Sequence, residues 1–357
     1  MIRMTVLMEA ANAFFPPLVM EYRYSGGMIL NFLNFNEGRF EFINSPYLNQ
    51  FNLEELKIRL GLMEDHPFAK RAVQSGKKAV MLRVLLNIYL DSCEDFSLEE
   101  QEAITFCFMY IDKLIKERTG GSFFVPNNFQ VQFIKLNSGG RKLDWGYLFT
   151  INETIVLPDN YLDEFLATHR NFLQNARANG SPNFDMLGTH LTNFYHEVVH
   201  LLQRTPKSSG VYTKMFEHVY RKLWGFVKID RHQLLGLSEG ANFITNPDGF
   251  NYQWIVSLNG RGYFLPALTY DRRRRVPVGV LIELESLPDD RYRLTDRWDL
   301  IERFPAYTRR FYGLSGQLYH PNEIMAQLLS DYLIGNRIYA DHPNYVDFYK
   351  YINRYMR

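Results

Sequence analysis

His196-Glu197-Val198-Val199-His200 is an H-E-x-x-H pentapeptide. On an α-helix, residues four apart differ by about 40° in azimuth and about 6 Å along the axis, so both imidazoles project from one face. They can grip a single ion. Zinc accepts imidazole nitrogen at about 2.0–2.1 Å, and two ligands one turn apart define one edge of its tetrahedron. Glu197 lies about 100° around from His196, poorly placed as a ligand but able to reach a water on the open side of the ion. That is the position of a general base, which takes a proton as the water attacks a carbonyl and returns it to the leaving amine. The plainer reading is a polar patch on an amphipathic helix.

Two histidines and a water do not hold catalytic zinc, so a third protein ligand is required. The metzincin continuation H-x-x-G-x-x-H is absent, because Gln203 and Pro206 occupy its Gly and His places. A carboxylate is the remaining common choice. Glu239 in LLGLSEGANFIT follows His200 by 39 residues, and Glu323 in YHPNEIMAQLLSDYL follows it by 123. With these residues the chain resembles the gluzincin zinc metallopeptidases, whose third ligand is a glutamate downstream of H-E-x-x-H. Ser238-Glu239-Gly240-Ala241-Asn242 partly matches the N-E-G-x-x segment of one branch. Glu323-Ile324-Met325-Ala326 matches the E-x-x-A helix opening of the thermolysin-like and lethal-factor-like branches. Glu323 is preferred: Pro321 suits a first helical position, and Ile324, Met325, Leu328, Leu329 and Leu333 give a core face. Ala326, one turn on, would let this helix approach the H-E-x-x-H helix closely. Against this, Glu323 would also serve as an acid in a first turn, favoured by the helix dipole, and Glu239 as part of a solvated turn.

The resemblance thus implies Zn2+ held by His196, His200 and Glu323, with Glu239 as the alternative third ligand, and Glu197 as base. It implies an antiparallel edge strand beside the metal that pairs with an extended protein or peptide substrate. Glu153-Thr154-Ile155-Val156-Leu157-Pro158 is the candidate, because its proline cannot sit in a central ladder. It also implies a donor for the transition-state oxyanion, a role assigned to Tyr319, with His320 competing. His190, two turns before His196, reads as a surface histidine.

These residues need elements to position them. The segment from Met186 to Arg204 has helical spacing, and Leu191, Phe194, Val198, Leu201 and Leu202 suit a buried central helix. Another helix begins at Ser97, where Glu100 completes a capping box. FQVQFIKL (129–136) and WGYLFTINETIVLP (145–158) read as strands, and residues 211–227 as a helix. Asn259-Gly260 between two β-rich arms is a hairpin signal. The expected fold is α+β. It has a mainly helical region at 1–120, a zincin-like catalytic domain at 121–245 and 301–357, and a β-rich insertion at 246–300.

Composition excludes several classes. The 357 residues carry Lys+Arg 40 against Asp+Glu 39, a net charge of +1 that offers no strong field for nucleic acid or anionic membrane. The run Arg272–Arg275 could hold phosphate, but reads as a solvated loop between strands, and no nucleic acid is expected. Cys93 and Cys107 are too few for a disulfide framework and are expected to be buried free thiols. Glu9 and Pro16-Pro17 interrupt the apolar N-terminus, and no membrane span is expected. The chain reads as cytoplasmic, or exported without a Sec signal peptide. A zinc-dependent metallopeptidase is the leading expectation. The alternative is a catalytically inactive zincin-like scaffold that binds a protein or peptide.

Overall fold

A computed structural model describes residues 28–45, 48, 51–63, 66–119, 129–137, 139, 146–204, 209–236, 243, 252–258, 260, 262–271, 273, 276–311, 318–334 and 343–356. Helices and strands are mixed, as expected of an α+β chain. The first described strand, β1 (Ile29–Phe32), precedes α1 (Phe35–Asn44), α2 (Leu53–Gly61), α3 (Ala69–Ser75) and α4 (Lys78–Ser92). The short β2 (Cys93–Glu94) and the long α5 (Leu98–Thr119) follow. Ser97 starts α5 as its motif requires. Its N–H donates to Glu100 Oε2 at 2.6 Å, and the Glu100 N–H donates to the Ser97 hydroxyl at 3.3 Å, closing the capping box.

β3 (Gln130–Leu136), β4 (Phe149–Ile151) and β5 (Thr154–Pro158) complete the first sheet, ordered β1-β3-β5-β4 with β2 also beside β3. β1, β3 and β5 run parallel, while β4 folds back antiparallel on β5 through a tight turn at Asn152, whose φ is 48°. This corrects the expectation for 153–158. All five residues of β5 are buried and the strand lies between β3 and β4, as an unbroken apolar run suits a parallel strand covered on both faces. Pro158 is tolerated because it ends the strand and stands at the N-cap of the next helix, where no ladder N–H is needed. The outer strand on that side is β4.

Next come α6 (Asp159–Asn179), a 3-10 turn at Phe184–Leu187, α7 (Gly188–Arg204) and α8 (Ser209–His218), which continues as a π turn at Val219–Leu223. The helix expected over 211–227 therefore stops early, and Val227 belongs to a strand. The second sheet comprises β6 (Phe226–Asp230), β7 (Leu234–Leu235), β8 (Tyr252–Ser257), β9 (Tyr263–Asp271), β10 (Val276–Leu287) and β11 (Arg291–Leu300). Its order is β6-β8-β9-β10-β11-β7. Gly260, at φ 71°, turns the chain between antiparallel β8 and β9, as the Asn-Gly signal indicates; Asn259 lies outside the described residues. The chain closes with the short α9 (Pro305–Thr308), α10 (Pro321–Ile334) and α11 (Pro343–Met356).

One apolar core joins α5, α6, α7, α10 and both sheets through Phe108, Phe133, Phe165, Phe194, Trp254 and Ile324. A second cluster packs α1 to α4 against the other face of the first sheet, at Ile134, Leu136 and Val156. Full burial of such side chains contributes about 1.5–3 kcal/mol each, which fixes α7 and α10 in place. No helix among the described residues is long and apolar enough to cross a membrane.

Candidate metal centre

The helix α7 is buried along nearly its whole second half. Leu191, Phe194, Val198, Leu201 and Leu202 enter the core as their spacing predicts, and Phe194 meets the rings of Phe108, Tyr161 and Phe165. His196, Glu197 and His200 are carried into the interior with them, at 8%, 8% and 4% exposure. A polar patch facing solvent is not what forms. The helix α10 buries Ile324, Met325, Leu328, Leu329 and Leu333, and the fully buried Ala326 sits on it one turn from Glu323.

This packing brings three separated side chains together. His196 Nε2 lies 3.0 Å from His200 Nε2, and Glu323 Oε2 lies 3.2 Å from each of the two nitrogens. Among the described residues His196, His200 and Glu323 form a group that could hold a metal ion, their ligand atoms all within 4.8 Å of one another. The fit is geometric as well as chemical. A tetrahedral ion with ligands at about 2.0–2.1 Å has edges of about 3.3–3.4 Å, close to all three sides of this triangle. Two imidazoles and a carboxylate are also the donor set of a site that leaves a fourth position open.

The electrostatics point the same way. Burial alone would raise the Glu323 carboxyl, but the two imidazoles override it and hold its pKa well below the usual carboxylate range. Burial opposes charge on His200, yet Glu323 and Glu197 together outweigh it and hold that pKa above the ordinary value. The centre therefore attracts positive charge to an interior position. Glu197 is different: burial raises its carboxyl, although His200, His196 and Arg204 pull it back. A carboxylate with a raised pKa, next to the triad, is suited to accepting and returning a proton.

The surroundings supply further polar groups. His200 Nδ1 lies 2.9 Å from Gln203 Oε1, and Gln203 Nε2 reaches the Tyr220 hydroxyl and the Asn322 carbonyl. Asp331, two turns beyond Glu323 on α10, accepts from Gln327 at 3.1 Å, and burial pushes its carboxyl up to about 6 despite His196 nearby. Arg204 donates to the Thr150 carbonyl at 3.1 Å, tying the end of α7 to β4. Of these, Gln203 carried a readable signal, since it lies three residues beyond a histidine and so on the same helix face. Asp331 lies eight residues beyond Glu323, also near its face, but an acid inside an apolar helix names no partner.

Of the candidate oxyanion donors, Tyr319 is half-buried against the main core, four residues before Glu323. His320 is buried. Its Nδ1 accepts from the Asn322 N–H at 3.2 Å, its Nε2 has no hydrogen-bond partner among the described residues, and burial lowers its pKa to about 3. His190 is not a surface residue: it is 5% exposed and its Nδ1 lies 3.1 Å from the Tyr161 hydroxyl. Seven residues from Glu197, it shares that residue's helix face and is buried with it. Glu239 lies outside the described residues, as do Arg272, Arg274 and Arg275; Arg273 is exposed in a turn held by Asp271. Cys93 and Cys107 are buried free thiols, the first pushed up to about 12 by burial.

Compared with protein-family models, curated proteins and solved structures, the chain matches none.

Proposed function

We propose that the chain is a zinc-dependent metallopeptidase of gluzincin type, with His196, His200 and Glu323 as ligands and Glu197 as general base. One observation carries this reading: three ligand atoms from two helices converge in the interior, and the residue after the first ligand is a buried carboxylate. A zinc ion bound there supplies a polarising charge and a water of lowered pKa. The protein's own part follows from position. Glu197 accepts the proton of the attacking water and delivers it to the leaving amine nitrogen, a role its raised pKa supports. Tyr319, in the turn that leads into α10, is assigned to the oxyanion. The surrounding apolar core excludes water from the side of the triad away from substrate, which strengthens each of these interactions.

The test is digestion of a broad peptide library. Cleavage should be abolished by a zinc chelator and restored by zinc. Glu197→Gln should reduce it by roughly 10²–10⁴-fold while zinc content, measured by atomic emission, stays at one per chain. Unchanged cleavage in that variant would remove Glu197 from the mechanism, and absence of zinc from protein exposed to it would remove the metal.

A further inference from the structure

The side-chain amide of Gln203 touches three groups whose chemistry leaves it one orientation. Its Nε2 lies 3.0 Å from the Asn322 backbone carbonyl and 3.3 Å from the Tyr220 hydroxyl, and its Oε1 lies 2.9 Å from His200 Nδ1. A backbone carbonyl only accepts hydrogen bonds, so the amide nitrogen must face Asn322. The amide oxygen then faces His200. An amide oxygen also only accepts, so the hydrogen in that contact belongs to His200 Nδ1. A neutral imidazole protonated on Nδ1 carries its lone pair on Nε2, and Nε2 is the atom that faces His196 and Glu323.

We infer that Gln203 is a positioning residue: it locks His200 in the tautomer that presents Nε2 to a metal and ties it to the peptide unit preceding Glu323. The assignment rests on the reading of the triad as a metal site. The fixed point of the chain of reasoning is the Asn322 carbonyl, a main-chain group on α10. Through it, one side chain reads the position of the glutamate helix and sets the orientation of a ligand on the other helix. A slip of α10 along α7 would break the contact to Asn322 and release the His200 ring together. Such outer partners of ligating histidines set ring orientation and basicity, and their loss costs roughly 10–100-fold in metal affinity.

The first readout needs no variant. Long-range 1H–15N correlation spectra of the zinc-loaded wild-type protein, in which the ion takes the place of a proton between His200 Nε2 and Glu323, should show His200 protonated on Nδ1. Protonation on Nε2 would overturn the assignment. The second readout is zinc affinity, measured by competition with a chelating dye. Gln203→Met, of similar length but unable to accept, should lose roughly 10–100-fold. Gln203→Glu keeps an acceptor against Nδ1 but gives up the donor to the Asn322 carbonyl, and should recover part of that loss. Thermal unfolding in chelator reports whether each variant is folded. Equal losses in both variants, or none in Gln203→Met, would overturn the proposal. A wild-type protein that takes up no zinc would defeat the metal reading instead, whereas zinc uptake with no difference among the variants would defeat only the part played by Gln203.

Discussion

Replacing Glu323 by Gln keeps the side chain's length and removes its charge. In the wild-type protein its Oε2 lies 3.2 Å from both imidazole nitrogens. At that separation and an effective dielectric of about 20, a carboxylate and one positive charge attract by about 5 kcal/mol before desolvation is counted. Binding to the native state alone at about a thousand times the dissociation constant stabilises a fold by about 4.1 kcal/mol. The 357 residues unfold with an entropy of about 2.1 cal/mol/K each, or about 0.75 kcal/mol/K in all, so zinc should raise the wild-type midpoint by about 5 °C. Loss of a direct ligand should cost at least the hundredfold seen for outer partners. At the same free zinc the variant then keeps about 1.4 kcal/mol, or about 2 °C. The assay is circular dichroism during heating at pH of about 8, with buffered zinc and with EDTA. A variant that retains the full wild-type shift would show that Glu323 is not a ligand. Glu239→Gln in the same assay would then show whether that carboxylate holds the ion. Wild-type curves that superimpose with and without zinc would refute the site itself.

Two further outcomes follow from packing and burial. His169, among the rings of Phe106, Phe165 and Phe172, has its pKa lowered by burial from 6.5 to about 4. The unfolded chain therefore takes a proton near pH 6.5 that the native state resists, so stability is full above that pH and falls as pH drops towards 4, by about 3 kcal/mol. His169→Leu should flatten this part of the profile in urea unfolding at pH of about 7.5 and 4.5; an unchanged slope would refute the cause. Ala326, on α10, is fully buried in the core that α7 and α10 share. Ala326→Leu should cost about 1–3 kcal/mol by overpacking and lower zinc affinity by displacing Glu323, whereas Ala326→Gly should cost about 1 kcal/mol with affinity kept. Equal zinc affinity in both variants would refute the close approach of the two helices.

Much of this centre is legible in the chain because it rests on helical periodicity, which is local. The 3.6-residue period places Leu191, Phe194, Val198, Leu201 and Leu202 on the core side of α7, and Pro321 with Glu323-Ile324-Met325-Ala326 marks the start of α10. The same period places His190 on the face of Glu197, so its burial was readable; its partner Tyr161, on another helix, was not. The strand at 153–158 was misjudged for a different reason. A proline excludes the middle of a ladder, but a strand terminus satisfies that constraint as well as an edge does. Pairing between strands far apart in the chain leaves no local trace: β1 joins β3 about a hundred residues later, and the second sheet begins at Phe226, immediately after a π turn, rather than near residue 246.

What holds His196, His200 and Glu323 together decides what kind of metal site they could form. His200 and Glu323 are separated by 123 residues, and closing so long a loop costs about 4 kcal/mol in chain entropy beyond a constant term. A bound ion worth about 4.1 kcal/mol would be nearly consumed by that closure if nothing else performed it. The apolar core does perform it. Ile324, Met325, Leu328, Leu329 and Leu333 of α10 share one cluster with Phe194, Val198, Leu201 and Leu202 of α7 and with Trp254 and Leu281 of the second sheet. At about 1.5–3 kcal/mol per buried side chain, the five from α10 alone exceed the closure cost. The three side chains are thus positioned by packing before any ion arrives, and if zinc binds there, chelation should lower the unfolding midpoint without unfolding the protein. A zinc finger behaves in the opposite way, since there the metal supplies the folding energy. A group of three possible ligands assembled by the core suits, on the proposed reading, an ion that does chemistry rather than one that holds the fold.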